Sequence, residues 1–276
     1  MTDLAAILPT SVGPVGAIVS EPSGPPRGAL VFLQGGGAPC RAGVNAAWAR
    51  LARSLADRGI AVLRFDFIAE GDSTMVGEDI PREVGWRQNA NLTILRELAP
   101  WFRARTGVDD LLLAGSCHGG RVALELAAED PRVKGSFLIV PYLWNLPPNL
   151  LPGKQAMRQK SLPRASELFD RGSSDVQAQR AIQAEVEAVL DQTPLEDNLV
   201  EICRRALEQG EIWILTGEGD SQKPVEMKER LGESGERLEV EIVPGTIIHP
   251  VTHPEILAIV TERLTERLLG AVDVAR

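Results

Sequence analysis

The run Leu111-Leu-Leu-Ala-Gly-Ser-Cys-His-Gly-Gly120 constrains this chain more than any other segment. Its apolar start, preceded by Asp110, reads as a strand buried on both faces. It leads directly into Gly-x-Cys-x-Gly-Gly, and a helical pattern to about residue 128 follows. Only a sharp elbow can turn a buried strand into a helix in so few residues. Gly115 and Gly119 suit that elbow, because side chains there would collide with the turn. Cys117 is thrust out at the helix N-terminus, where the helix dipole favours negative charge on a thiolate or on a developing oxyanion. The backbone N–H of His118 faces the same place and can donate to that oxyanion. A buried structural cysteine is the plainer alternative. It leaves the paired glycines and the strand and helix on either side unexplained.

The same rhythm of strand and helix runs through most of the chain. Buried strands are expected near 29–33, 60–67, 110–114, 133–140, 211–216 and 238–243, with a shorter candidate at 15–20. Helices are expected near 44–58, 82–105, 224–231 and 254–269. Such alternation implies an α/β fold, with a mostly parallel sheet and helices on both faces. The alternation stops at Pro141. Residues 144–210 carry helical patterns but no strand, and the block leaves the carboxyl ends of the strands, where open α/β sheets bind ligands. It is expected to form a helical lid over a core of residues 1–143 and 211–276, an arrangement for which 276 residues suffice.

The formal net charge is −9, which argues against nucleic acid as a partner, because phosphate contacts need a basic face. No apolar stretch approaches the ~20 residues that span a bilayer, and the N-terminus lacks the pattern of a signal peptide. Cys40, Cys117 and Cys203 are odd in number and far apart, so they form neither a disulfide framework nor a CxxC metal pattern. A cytoplasmic, reduced protein is expected. Three histidines, His118, His249 and His253, provide no metal-ligand cluster. The glycines after Leu33 lack the G-x-G-x-x-G spacing of a dinucleotide site. Hence neither metal nor other cofactor is expected.

Over nearly its whole length the chain resembles the α/β-hydrolase superfamily, with Cys at the usual Ser of the elbow. Phe65-Asp-Phe-Ile-Ala-Glu-Gly-Asp-Ser73 is similar to the F-D-x-R-G-x-G-x-S segment of many members; Ala69 replaces the first Gly and the Arg is absent. That segment shapes a loop near the site. The resemblance implies a base and an acid in the order nucleophile, acid, base. His249 follows the last strand and matches the family's base, with His253 as the alternative. Asp220 matches the acid in Ile212-Trp-Ile-Leu-Thr-Gly-Glu-Gly-Asp220, with Glu218 as runner-up. Gln34-Gly-Gly-Gly37 resembles the H-G-G oxyanion loop, which makes Gly36, or else Gly37, the second oxyanion donor beside His118. Cys40 and Cys203 are expected to serve packing.

A thiolate attacks and leaves thioesters at similar energy and is a good nucleophile when only partly ionised. The length, the expected lid and the cysteine elbow resemble the stand-alone off-loading enzymes of polyketide and peptide assembly lines, including Dieckmann cyclases that release tetramates and pyridones. That resemblance implies an acyl or peptidyl carrier protein as partner and an acyl-Cys117 intermediate, released by water or by an internal carbanion. A lid that excludes water would choose between the two, and the apolar stretch 143–151 suits a greasy chain. A dienelactone-type ester or lactone hydrolase and a non-catalytic ligand-binding relative remain open, as does the choice between monomer and homodimer.

Overall fold

The buried runs of the sequence become the middle of one sheet. The structure, a computed structural model, describes residues 1–35, 41–43, 46–68, 71–73, 84–143, 195, 197–244 and 254–274. Its strands are β1 (Thr2–Leu8), β2 (Val15–Glu21), β3 (Gly28–Leu33), β4 (Ile60–Phe65), β5 (Leu111–Ser116), β6 (Val133–Ile139), β7 (Glu211–Gly217) and β8 (Leu238–Val243). Among the described residues their order across the sheet is β1-β2-β4-β3-β5-β6-β7-β8. Every pairing from β4 to β8 is parallel, whereas β1 and β2 are antiparallel additions at one edge.

Among the described residues the helices are α1 (Ala47–Asp57), α2 (Val84–Thr106), α3 (His118–Ala127), α4 (Asp197–Gln209), α5 (Gln222–Leu231) and α6 (Pro254–Val274). Alternate residues of the strands feed two separate apolar layers, as the pleat requires. Ala29, Val31, Leu33, Leu111, Leu113, Ile212 and Ile214 face the layer under α2, α3 and α4. Leu30, Phe32, Leu112, Ala114, Trp213 and Leu215 face the layer under α1 and α6. Each fully buried leucine contributes roughly 1.5–3 kcal/mol over its exposed state, so β3 and β5, buried at every position, anchor the sheet.

Two features depart from the sequence reading. β1 was not expected: it is half exposed and is held by pairing along its whole length with β2, so no apolar periodicity announces it. The helix α4 falls inside the block 144–210 expected as a lid. Its residues Leu199, Ile202, Cys203, Ala206 and Leu207 are buried in the same layer as α3, so this part of the block belongs to the packing of the sheet. Residues 144–194 and 196 lie outside the described residues.

A pair of charges ties α2 to the turn that follows α3. Arg103 donates to Asp130 at 2.7 Å, and the Arg132 amide donates to the same carboxylate at 3.0 Å. Burial raises the Asp130 pKa, but these hydrogen bonds and the charges of Arg103 and Arg132 outweigh it and hold the carboxyl below its ordinary value. The stabilisation is therefore complete above the unfolded value of about 3.9 and is lost as pH falls through the lower folded value. Asp130→Asn is expected to cost about 1 kcal/mol at pH 7. Denaturant titrations of both proteins from pH 7 to pH 3 should show that difference shrinking below about pH 4.

Candidate active site

Cys117 joins β5 to α3 with φ 49° and ψ −117°, a conformation that L-residues rarely adopt. Such geometry costs on the order of 1–3 kcal/mol and persists only where the surroundings over-determine it. Here both backbone groups of the cysteine are tied to the next strand and its exit. Its N–H donates to Ile139 O at 2.9 Å, and its carbonyl accepts from Tyr142 N at 3.0 Å. The elbow glycines are required by backbone contact. A Cβ on Gly115 would lie 2.5 Å from the carbonyl of Gly119, and one on Gly119 would lie 2.5 Å from Leu33 O. The sequence motif therefore packs α3 against both its own strand and the end of β3.

The register lines up the strand ends that carry the other expected groups. Leu33 sits opposite Gly115, Ser116 opposite Ile139, Ile139 opposite Leu215, and Gly217 opposite Val243. The exits of β3, β5, β7 and β8 thus lie at one end of the sheet, the carboxyl end of its parallel strands, with β5 and β7 about 10 Å apart at the usual spacing of adjacent strands. Cys117 stands at that end, partly exposed. The backbone of Asp220 lies in the short 3₁₀ turn Glu218–Asp220 that follows β7, and Glu218 is exposed. His249 and His253 belong to residues 245–253, between β8 and α6. They lie outside the described residues, as do Gly36, Gly37, Cys40 and the side chain of Asp220.

On the β3 side, Gly35 passes close to Cys117. A Cβ added there would lie 3.2 Å from Cys117 Cβ and 3.3 Å from Ser116 Oγ. His118 is the first residue of α3, and the first amides of a helix point out of its end, toward the elbow. Its ring is buried and meets Phe67 edge-on, centroids 5.6 Å apart. The His118 side chain is thus engaged with the Phe65–Ser73 segment.

Cys203 has a different character. Burial pushes its thiol up to about 12, only partly countered by the charge of Arg204. It stays protonated and inert at neutral pH. Iodoacetamide applied to the native protein at pH 8 is expected to alkylate Cys117 and to leave Cys203 unmodified until denaturant is added. Peptide mass spectrometry reads both sites, and equal labelling of the two in the native state would contradict the contrast.

The structure also gathers a charged cluster that the sequence did not announce. Asp66, the acid of the F-D segment, is fully buried. Its carboxylate accepts from the Arg41 amide at 2.6 Å, from the Arg41 guanidinium and from the Asp72 amide at 2.9 Å. Arg41 also pairs with Asp72, and Arg64 Nη1 donates to the Arg41 carbonyl at 3.0 Å. Burial lowers the pKa of Arg41, but its hydrogen bond to Asp72 and the charges of both aspartates raise it overall. Ser73 completes the fold of the segment, accepting from Gly16 N and donating to Asp66 O. The partner of this buried aspartate is thus an arginine from the loop after β3. No local pattern could signal a pair 25 residues apart.

Among the described residues, no helix is long and apolar enough to cross a membrane, and no group of three or more His, Cys, Asp or Glu could hold a metal ion. No curated protein sequence matches the chain. Solved structures do match it along its length. The α/β hydrolase GrgF from Penicillium sp. sh18 superposes with a TM-score of 0.63 at 20% identity, covering 99% of this chain and 98% of that one. XC6422 from Xanthomonas campestris, described as a serine hydrolase without a lid, gives 0.57 at 19% identity over 99% and 94%. A putative dienelactone hydrolase from Klebsiella pneumoniae gives 0.59 at 17% identity over 95% and 96%. At these identities the likeness is one of fold. The family model of the alpha/beta hydrolase fold matches residues 28–208, well over half of the chain. With the strand order and the elbow at Cys117, this match makes the chain a member of the α/β-hydrolase family.

Proposed function

We propose that the chain is a cysteine-dependent acyl-transfer enzyme. In this reading it takes a polyketide or polyketide–peptide chain from a carrier-protein thioester onto Cys117, then releases it by Dieckmann cyclisation or by hydrolysis. The observation that carries the reading is the cysteine itself, held partly exposed in the strained elbow at the N-terminus of α3. A thiol at that place suits thioester exchange better than ordinary ester cleavage.

The proposed chemistry uses five residues. The Cys117 thiolate attacks the thioester carbonyl, and the N–H groups of His118 and Gly36 hold the oxyanion. The carrier thiol leaves with a proton from His249, which Asp220 orients. The acyl-Cys117 carbonyl is then attacked either by water or by a carbanion between two carbonyls of the same chain. Water yields the free acid; the carbanion yields a ring and a new C–C bond, and both return the Cys117 thiol. The support for Asp220 and His249 is their place in the sequence after β7 and β8, whose carboxyl ends lie at the same end of the sheet as that of β5.

The test offers the protein an N-acetylcysteamine thioester of a β-ketoacyl-aminoacyl chain, beside p-nitrophenyl acetate. Products are identified by mass. A product one water lighter than the free acid supports cyclisation, and free acid from the thioester supports a thioesterase. Turnover of the simple ester alone would move the assignment to a dienelactone-type hydrolase. Absence of any acyl adduct on Cys117 with either substrate would sink the covalent reading.

A further inference from the structure

We propose that Tyr142 is a positioning residue: its backbone N–H, brought round by a strained turn at Val140, aims the His118 N–H at the oxyanion of acyl transfer. This role rests on the acyl-Cys117 reading and accounts for the orientation of one of its two oxyanion donors. Val140 has φ 42°, in the left-handed region, although it is β-branched and buried in the layer under α1 and α6. A β-branched residue there is a genuine outlier. Strain of this kind persists only where the surroundings impose it, and it gathers at functional sites.

The hydrogen bonds reveal what the turn achieves. The Val140 N–H donates to Leu215 O at 2.9 Å, toward β7. In a continuing strand the N–H two residues on would point the same way. The Tyr142 N–H instead points toward the opposite neighbour and donates to the Cys117 carbonyl at 3.0 Å. That carbonyl and the His118 N–H are opposite sides of one planar trans peptide. Its oxygen accepts from Tyr142 N and, at 3.3 Å, from Arg121 N. The peptide is therefore held against rotation, with the His118 N–H pointing out of the end of α3. The peptide before Cys117 is gripped by the same strand, through the Cys117 N–H on Ile139 O at 2.9 Å. Between these two grips Pro141 lies against the elbow: a Cβ on Gly120 would be 3.1 Å from Pro141 Cβ. Gly120 thus lets the exit of β6 come close enough to hold Cys117. Acyl transfer depends on that hold, because removing one oxyanion donor costs about 10²–10³ in rate.

Two reactions at the same sulfur separate positioning from plain folding. The Cys117 thiolate and iodoacetamide form an Sγ–C bond at a saturated carbon and expel iodide, so no oxyanion develops. With p-nitrophenyl acetate the thiolate is acylated and nitrophenolate leaves, through a tetrahedral oxyanion. Tyr142→Pro deletes the N–H that grips Cys117, whereas Tyr142→Ala loses the same ring and keeps the N–H. Both rates are followed from about pH 6 to pH 9, so that altered thiol ionisation appears as a shift along the pH axis and lost oxyanion binding as a lower plateau. Tyr142→Pro, checked for folding by circular dichroism, is expected to acylate roughly 10- to 100-fold more slowly than Tyr142→Ala. Alkylation of the two should agree within about threefold. A backbone ester at position 142, made by incorporating the α-hydroxy analogue of tyrosine, removes the N–H alone. It is expected to slow acylation about tenfold with alkylation unchanged, and it decides the matter if Tyr142→Pro does not fold. Acylation and alkylation falling together, neither falling, or Tyr142→Ala losing as much acylation as Tyr142→Pro would overturn the positioning role. A wild-type protein that is alkylated but never acylated would instead remove the acyl-Cys117 reading, and this role with it.

Discussion

Cys117→Ala is expected to abolish acyl transfer, lowering kcat/KM by roughly 10⁴-fold or more, as loss of a covalent nucleophile does elsewhere. The elbow should survive the change. Its backbone geometry is held by the Cys117 N–H on Ile139 O, by the Cys117 carbonyl on Tyr142 N, and by the glycines packed beneath, none of which involves sulfur. Thermal unfolding of the variant should therefore follow the wild type closely, so that lost turnover reports chemistry and not collapse. The clearest readout is intact-protein mass after brief exposure to a thioester: a wild-type adduct, and none in the variant. An adduct that persists in Cys117→Ala, or turnover within tenfold of the wild type, would place the nucleophile elsewhere. Cys117→Ser keeps the geometry and asks what sulfur adds. If thioester exchange is the task, the serine variant should lose far more activity on the thioester than on an activated ester.

Gly119→Ala is expected to damage the fold itself. The new Cβ would lie 2.5 Å from Leu33 O and 2.7 Å from Leu33 C, and these are backbone atoms at the end of a buried strand, with no flexible tip to move aside. Relief requires β3 or α3 to shift, which disturbs the apolar layer between them. A loss of about 3 kcal/mol is expected, or on the order of 10 °C in Tm for a chain of this length. Activity should fall with it, because Gly35 lies against Cys117 only while β3 and α3 keep their distance. Gly270→Ala in α6 is the control. A Cβ there meets nothing within 4 Å, so the substitution should raise stability by roughly 0.5–1 kcal/mol through better helix propensity. Differential scanning calorimetry on the two variants reads both signs, and equal effects would refute the steric argument.

The candidate site was legible where local sequence dictates local geometry. Gly115, Cys117, Gly119 and Gly120 announce the elbow because a strand cannot become a helix so abruptly with larger residues. Asp220 could be assigned only through its position after a strand, and the structure puts its backbone in the turn that follows β7. Gly36, His249 and His253 lie outside the described residues, so their roles rest on the resemblance. Arg41 was not legible at all. Nothing near it in the sequence marks a partner, and its link to Asp66 exists only because β3 and β4 are adjacent and parallel.

By itself the sequence determined the α/β class, the buried parallel strands and the place of Cys117 at the strand-to-helix elbow. Continuous apolar runs can be satisfied only with both faces covered, and a cysteine between elbow glycines must stand proud of a helix end. Tertiary structure decided what local pattern cannot encode. It placed β1 at the edge through backbone pairing with β2, since strand pairing needs no periodicity in an exposed strand. It drew α4 out of the expected lid and into the core, because its apolar face found the layer beside α3. And it closed the Arg41–Asp66 cluster, because a buried carboxylate takes whichever donors the fold brings within reach, regardless of their separation along the chain.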